Sequence, residues 1–285
     1  MILASVAELI NSAWPAGLMM LLLGGLFALI LLVASEKLKV QVDAKVEAIQ
    51  ESLPGVDCGA CGFAGCGAYA KAVAADPELI GKCAPGGSAT AGKIAEVLSL
   101  SVGGGAAPLR PVIHCNADID NRTYYAQYEG IESCTAANAL TNVQACKFGC
   151  VGYGDCVASC KFDAIHIVNG LATVDYDKCT GCTACSKACP KLIIEMVPFS
   201  EAAMTVVACH SQEIGRMTRK MCKVGCIGCG LCKKNSEIFE VNNNLAKVNY
   251  TDYKVDEGVD TAKTKCPTKV IIMAGKGAEA KVESA

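Results

Sequence analysis

The sequence predicts an α+β chain attached to one membrane-spanning helix. Three observations carry that expectation: an uncharged apolar run near the N-terminus, twenty cysteines in spaced groups, and a pattern of cysteines and β-branched hairpins that occurs twice. With 52% hydrophobic residues in 285 the composition is that of a folded chain, but aromatic residues make up only 5%, so its cores are small. Something besides side-chain packing must staple them, and the cysteines are the candidate. The 26 basic against 28 acidic residues leave a net charge of -2, which gives no bulk attraction to nucleic acid, and no such partner is expected.

The first element is the span. No charged residue stands between Leu9 and Ser35, and the apolar stretch from Trp14 to Ala34 is long enough as a helix to cross about 30 Å of hydrocarbon. A cleaved signal peptide would have a basic n-region, whereas Glu8 precedes this run with no Lys or Arg. Lys37, Lys39 and Lys45 follow it, so the positive-inside rule puts the N-terminus outside and the rest of the chain in the cytoplasm. In that reducing compartment disulfides are not expected. Residues 1–35 are thus read as a transmembrane anchor.

Residues 36–56 form a helical stalk: Leu38, Val42, Val46, Ile49 and Leu53 recur at helical spacing up to Pro54-Gly55, most simply as a packing face. A small helical cysteine module occupies 57–100, with the turn Pro85-Gly86-Gly87 and a helix over Ala91–Leu98. Glycines 103–105, Pro108 and Pro111 mark a linker over 101–111. Two copies of one unit follow, at 112–200 and 201–273. Ala145-Cys-Lys-Phe-Gly-Cys150-Val-Gly matches Met221-Cys-Lys-Val-Gly-Cys226-Ile-Gly, the hairpin segment ending at Tyr176 matches the one ending at Tyr250, and Val112-Ile-His-Cys115 echoes Val206-Val-Ala-Cys209. Each copy carries a short hairpin, at Ala164–Val174 and Glu237–Val248. The small, charged tail 274–285 is expected to be disordered.

Cysteine spacing then selects the chemistry. Cys179-x2-Cys182-x2-Cys185-x3-Cys189-Pro190 is the run in which three thiolates wrap one corner of a [4Fe-4S] cubane and the fourth serves the neighbouring cluster. Zinc ribbons stop at paired cysteines. Its partner half is Cys146-x3-Cys150-x5-Cys156-x3-Cys160, with Tyr153 at the usual second position and Lys161 in place of the usual proline. Cross-ligation assigns Cys160, Cys179, Cys182 and Cys185 to one cluster, and Cys146, Cys150, Cys156 and Cys189 to the other. The second copy keeps Cys226, Cys229, Cys232 and Cys266 but has Ser236 at the fourth position of its run, so it is expected to hold one cluster as a decayed unit. Cys58-x2-Cys61-x4-Cys66, with Cys83, makes a fourth site, for which zinc is the alternative. The fold class is therefore α+β, with ferredoxin-like cluster-binding repeats after a small helical [4Fe-4S] module.

These four clusters leave Cys115, Cys134, Cys209 and Cys222. Two readings stand: a fifth cluster, with Cys146 exchanging among the ligands, or buried free thiols. His114 and His210 adjoin leftover cysteines and are read as partly buried, satisfied histidines; His166 stands apart. No GxGxxG, Walker loop or Ser/His/Asp set is present, so no catalytic residue is assigned and no nucleotide or flavin site is expected. The one chemistry expected is electron transfer.

The single span together with Leu53-Pro-Gly-Val-Asp-Cys58-Gly-Ala-Cys61-Gly-Phe-Ala-Gly-Cys66, Cys83-Ala-Pro-Gly-Gly, His114-Cys115-Asn and Cys146-Lys-Phe-Gly-Cys150-Val-Gly-Tyr-Gly-Asp-Cys156 closely resembles the B subunit of the Rnf complex, in the long form found in anaerobes. The resemblance implies an electron-transfer subunit of a membrane oxidoreductase that couples ferredoxin and NAD to ion pumping. It also implies soluble ferredoxin as donor and other Rnf subunits as partners. Electrons would run from the C-terminal clusters to the membrane-proximal one. The alternatives are a ferredoxin-like subunit of another membrane oxidoreductase, or a membrane-anchored iron–sulfur redox sensor, for which no output domain is visible. The basic stretch holding Arg216, Arg219, Lys220, Lys223, Lys233 and Lys234 is either a docking face for an acidic ferredoxin or a solvated surface.

Overall fold

The computed structural model describes residues 2–37, 43–100, 107–140, 143–251 and 253–278. The chain divides into two compact units, Met1–Ala44 and Lys45–Ala285. The first is built on helix α1 (Ile2–Lys37), which contains Pro15. Its segment Gly17–Lys37 includes an 18-residue window of mean hydropathy 2.7, long and apolar enough to cross a membrane, and side chains such as Leu21 and Leu31 are exposed along it.

In the second unit, the stretch expected as a stalk proves to be part of the cysteine module. Helix α2 (Ala44–Ser52) stops before Pro54-Gly55 and buries Val46 and Ile49, with Leu53 just beyond, against Tyr69 and Val73 of α3 (Cys66–Ala75) and Ile94 of α4 (Gly87–Val97). The apolar spacing is thus a packing face, while Leu38 and Val42 lie outside the described residues. Helix α4 starts earlier than expected because the glycine turn leads straight into it, the Thr90 N–H donating to the Gly86 carbonyl at 3.2 Å.

The duplication is visible element by element. The first copy runs β1 (Leu109–Ile113), α5 (Cys134–Ala139), α6 (Asp155–Ala158), β2 (Ile165–Val168), β3 (Leu171–Val174), α7 (Ala184–Ala188) and β4 (Ile194–Pro198). The second runs β5 (Ala203–Val207), α8 (Gly215–Met221), α9 (Leu231–Asn235), β6 (Phe239–Asn242), β7 (Leu245–Val248), α10 (Glu257–Lys265) and β8 (Ile271–Gly275). In each, the outer strands pair antiparallel, β1 with β4 and β5 with β8, and the inner strands form a hairpin. The hairpin turns place Asn169-Gly170 and Asn243-Asn244 at positive φ, the conformation a tight two-residue turn needs.

Strand β1 takes up the last residues of the expected linker. Pro111 is tolerated there because a two-stranded sheet leaves one edge of each strand without ladder bonds, and its carbonyl accepts the Tyr176 hydroxyl at 2.8 Å. At the other end β8 reaches Gly275 and the Lys276 N–H donates to Ala202 at 2.8 Å, so the expected tail is ordered at its start; residues 279–285 lie outside the described residues. The two outer sheets share one core of Val112, Val197, Phe199, Met204, Val206 and Ala274, flanked by the equivalent tyrosines Tyr176 and Tyr250.

Candidate metal centres

All twenty cysteines are free thiols. Three cavities of nearly one size are ringed by four of them each: Cys226, Cys229, Cys232 and Cys266 around about 350 Å³, Cys160, Cys179, Cys182 and Cys185 around about 340 Å³, and Cys134, Cys150, Cys156 and Cys189 around about 340 Å³. A fourth cavity, of about 510 Å³, is lined by Cys115, Cys146, Cys209 and Cys222. The first two sets are those the spacing groups together. The other two correct it: Cys134, not Cys146, completes the set with Cys150, Cys156 and Cys189, and Cys146 stands with three of the leftover thiols.

The duplicated unit explains the exchange. Cys150, Tyr153 and Cys156 of the first copy stand where Cys226, Cys229 and Cys232 stand in the second, so Tyr153 leaves its loop one thiol short. The segment before Cys146 supplies the missing one. There the Tyr128 ring packs on Tyr153 at 5.3 Å, and α5 begins at Cys134. The Asp155 carboxylate, next to Cys156, accepts the backbone N–H groups of Cys134 (2.8 Å) and Thr135 (2.9 Å) and the hydroxyls of Thr135 (2.7 Å) and Ser133 (3.2 Å). Burial pushes its pKa up, but these hydrogen bonds outweigh it and hold the carboxyl below its usual range. The loop is thereby clamped with its thiol on the cavity.

The larger cavity lies between the copies and takes an equivalent pair from each: Cys115 and Cys209 follow β1 and β5, and Cys146 and Cys222 open the two Cys-Lys-x-Gly-Cys turns. Residues 121–125 stitch the turns together. Thr123 donates to Met221 (3.0 Å) and accepts from Ala145 (2.9 Å), while Lys223 donates to Asn121 (2.9 Å). Arg122, also on the cavity wall, donates to the carbonyls of Cys150, Ala117 (2.6 Å) and Gly170 (2.8 Å). His114 and His210 line the same cavity, but both ring nitrogens of His114 are engaged, with Val207 O at 2.9 Å and Glu195 Oε2 at 2.8 Å. That is the satisfied histidine read from the sequence.

In the helical module the Asp57 carboxylate, held by a left-handed backbone (φ 47°), accepts the Cys66 N–H at 2.6 Å. Burial pushes the Cys83 thiol pKa up, with Cys66, Cys58 and Cys61 adding to it, and Cys61, Cys66 and Cys83 pack around one core. The same crowding recurs elsewhere. Burial and neighbouring thiols push Cys156, Cys185 and Cys209 up to about 12, and Cys150 to about 11. Such groups ionise together only with a cationic centre between them. Among the described residues no three His, Cys, Asp or Glu side chains converge closely enough for a single ion, as a zinc with bonds of about 2.3 Å would require. Thiols spread around a hollow fit a polynuclear iron–sulfur cluster instead.

The sets are neighbours in a definite order. Cys209 packs with Cys226 in one core, and the Cys150 amide donates to Cys115 at 3.5 Å, so the central set adjoins one ferredoxin-type set on each side. Cys156 feels Cys185 of the next set, and beyond that Lys161 Nζ donates to the Val56 carbonyl at the edge of the helical module.

A duplicated ferredoxin-like α+β unit with thiol-ringed hollows, joined to a further cysteine module, defines an iron–sulfur electron-transfer protein. Residues 53–85 match the family described as "Putative Fe-S cluster", and residues 172–195 match "4Fe-4S binding domain". The chain is 36% identical over 253 residues to the B subunit of the Na(+)-translocating ferredoxin:NAD(+) oxidoreductase complex of Acetobacterium woodii, covering 87% of this chain and 74% of that protein. It is 38% identical over 265 residues to the B subunit of the proton-translocating ferredoxin:NAD(+) oxidoreductase complex of Clostridium ljungdahlii (88% and 89%), and 31% over 253 residues to the B subunit of the ion-translocating oxidoreductase complex of Methanosarcina acetivorans (87% and 94%). The chain belongs to this family, the B subunits of Rnf-type ion-translocating oxidoreductase complexes. It is a membrane-associated electron-transfer subunit of that class.

Proposed function

We propose that the chain accepts electrons from reduced ferredoxin and conducts them to membrane-embedded partner subunits along five [4Fe-4S] sites. These are Cys226/Cys229/Cys232/Cys266, then Cys115/Cys146/Cys209/Cys222, then Cys134/Cys150/Cys156/Cys189, then Cys160/Cys179/Cys182/Cys185, and last Cys58/Cys61/Cys66/Cys83. The observation that carries the reading is that the twenty cysteines divide into five sets of four with none left over. Bound there, the clusters supply one-electron centres whose potentials the protein tunes by burial and hydrogen bonding. The chain's own contribution is to hold the sulfurs, keep water out with residues such as Ile165, Phe239 and Leu245, and set the order of the sites.

The fifth, central set is what makes the path continuous, because it adjoins a first-copy set through the Cys150 amide on Cys115 and a second-copy set through the packing of Cys209 with Cys226. Lys37 and Lys45 after the span support an outside N-terminus with the cluster-bearing unit in the cytoplasm. The test is iron, acid-labile sulfide and zinc per full-length chain purified without oxygen, where five cubanes give about 20 irons with matching sulfide. The double variant C115A/C209A is expected to lose about four of them, the content of one cubane. Zinc in place of iron, or unchanged iron in the double variant, overturns the assignment.

A further inference from the structure

We infer that ferredoxin docks on the face formed by α8 and by the loop and helix around Cys229; this rests on the proposed function and specifies where electrons come in. Cys229 is the only exposed cysteine of the twenty. It belongs to the last set of the series, where a donor has to approach, whereas the other nineteen cysteines are buried or half-buried. Tunnelling falls steeply with distance, so an exposed ligand at the end of the series marks the surface a protein donor must touch.

The surroundings of Cys229 have the composition of a docking face. Gly215 at the start of α8 lies against Ile227, where a Cβ would stand 2.5 Å from the Ile227 carbonyl oxygen, so α8 borders the Cys226–Cys232 loop directly. Apolar Ile214, Met217 and Leu231 are exposed at 51%, 40% and 37%. Around them stand the exposed Arg216, Arg219, Lys220, Lys223, Lys233 and Lys234. The one acid between Ser211 and Asn235 is Glu213, and Lys147 neutralises it at 2.9 Å. Among the described residues none of the six cations is in an ion pair. On a chain of net charge -2 this is a local positive field around an apolar centre beside the one exposed thiol. Its fitting partner is a small acidic iron–sulfur protein, with apolar contact at the centre and charge at the rim. One electron passes per encounter: ferredoxin is oxidised, the acceptor site is reduced, and no bond is made or broken.

The test uses the full-length, detergent-solubilised, cluster-loaded chain and a 2[4Fe-4S] ferredoxin. Binding of the oxidised ferredoxin is followed by isothermal titration, and oxidation of the reduced form by stopped flow, each against ionic strength. Charge steering raises association rates by about 10- to 1000-fold. The variant R216E/R219E/K220E should therefore lose at least about tenfold in affinity and rate at low salt, and most of the salt dependence, with iron content unchanged. The control K71E/K93E, on the helical module, should keep both. If the wild type oxidises ferredoxin but the triple variant binds and reacts like it, the docking face is refuted while the proposed function stands. Equal losses in the triple variant and the control mean a bulk-charge effect and also refute it. If the wild type neither binds nor oxidises ferredoxin, the proposed function itself fails.

Discussion

Replacing Cys134 separates the two groupings of thiols most sharply. In the wild type the third site is completed from outside its own loop, because Tyr153 stands where the second copy has Cys229. The backbone on either side is nevertheless alike in both loops: Gly152 and Gly154 have φ of 92° and 81°, and Gly228 and Gly230 have 66° and 72°. A cysteine at 153 would project as Cys229 does. C134A is therefore expected to lower iron from about 20 to about 16 per chain if the cubane is lost, or to about 19 with a three-iron EPR signal if only the unsupported corner leaves. C134A/Y153C should bring iron back to about 20 and abolish that signal. The rescue forfeits the Tyr128–Tyr153 ring contact at 5.3 Å, a loss of roughly 0.5–1.5 kcal/mol that the folded unit can absorb. The assay is iron and sulfide analysis with EPR of the reduced and oxidised protein. Unchanged iron in C134A, or loss of the same spectral component in C146A, would refute the reasoning and restore the grouping that spacing alone gives.

Two further outcomes follow from the same geometry. Because the folded-state pKa of Asp155 is depressed, the clamp on Cys134 contributes fully above the unfolded value of about 3.9 and is lost as pH falls from there through the lower folded-state pKa. Hydrogen exchange of the Cys134 and Thr135 amides, corrected for intrinsic rates, should show protection that survives at about pH 4 and disappears only at lower pH in the wild type and is low at every pH in D155A; equal protection in the two proteins would refute the clamp. S236C, which restores a cysteine to the decayed run, should add no iron, because the Ser236 hydroxyl serves Asp256 at 2.9 Å and helix α10 fills the neighbouring space; a gain of about four irons would show a latent site.

What the sequence makes legible here is whatever depends on short-range spacing. The hairpins could be read because Asn169-Gly170 and Asn243-Asn244 interrupt alternating β-branched residues, and the sets of Cys226 and Cys179 because their ligands lie within one loop plus a single distant cysteine. Cys134 could not be placed the same way, since its position depends on a carboxylate 21 residues further on and on a ring contact between Tyr128 and Tyr153. The signal that would have separated Cys134 from Cys146 was nonetheless in the repeat. Cys146 has an equivalent in Cys222, and Cys115 in Cys209, whereas Cys134 has none, so the paired four belong together and Cys134 answers to the position that Tyr153 vacates. The β1 strand at Leu109 is not legible in the sequence because Pro108 and Pro111 have the composition of a linker, and only the pairing with β4 makes an edge strand of Leu109–Ile113.

The second copy gives a physical reason for the proposed cluster count, in which one position is missing and the central one is present. In the first copy the thiols of Cys160, Cys179, Cys182 and Cys185 ring a cavity, Lys161 beside them reaches the Val56 carbonyl of the helical module, and the proposed path would continue through them. The corresponding place in the second copy lies beyond the terminal set and leads to no further thiols. There α10, capped by Asp256 and packed through Gly258 onto the end of α9, supplies the burial that a cluster otherwise supplies, with Val259 and Ala262 in the core. The central site cannot be exchanged for packing in this way. Two of its thiols come from each copy, so a cluster bound there favours the docked arrangement of the copies over any separated one by its own binding free energy. On the proposed path, this one set of four cysteines would join the halves of the fold and the halves of the electron route, and both would come apart at the same place.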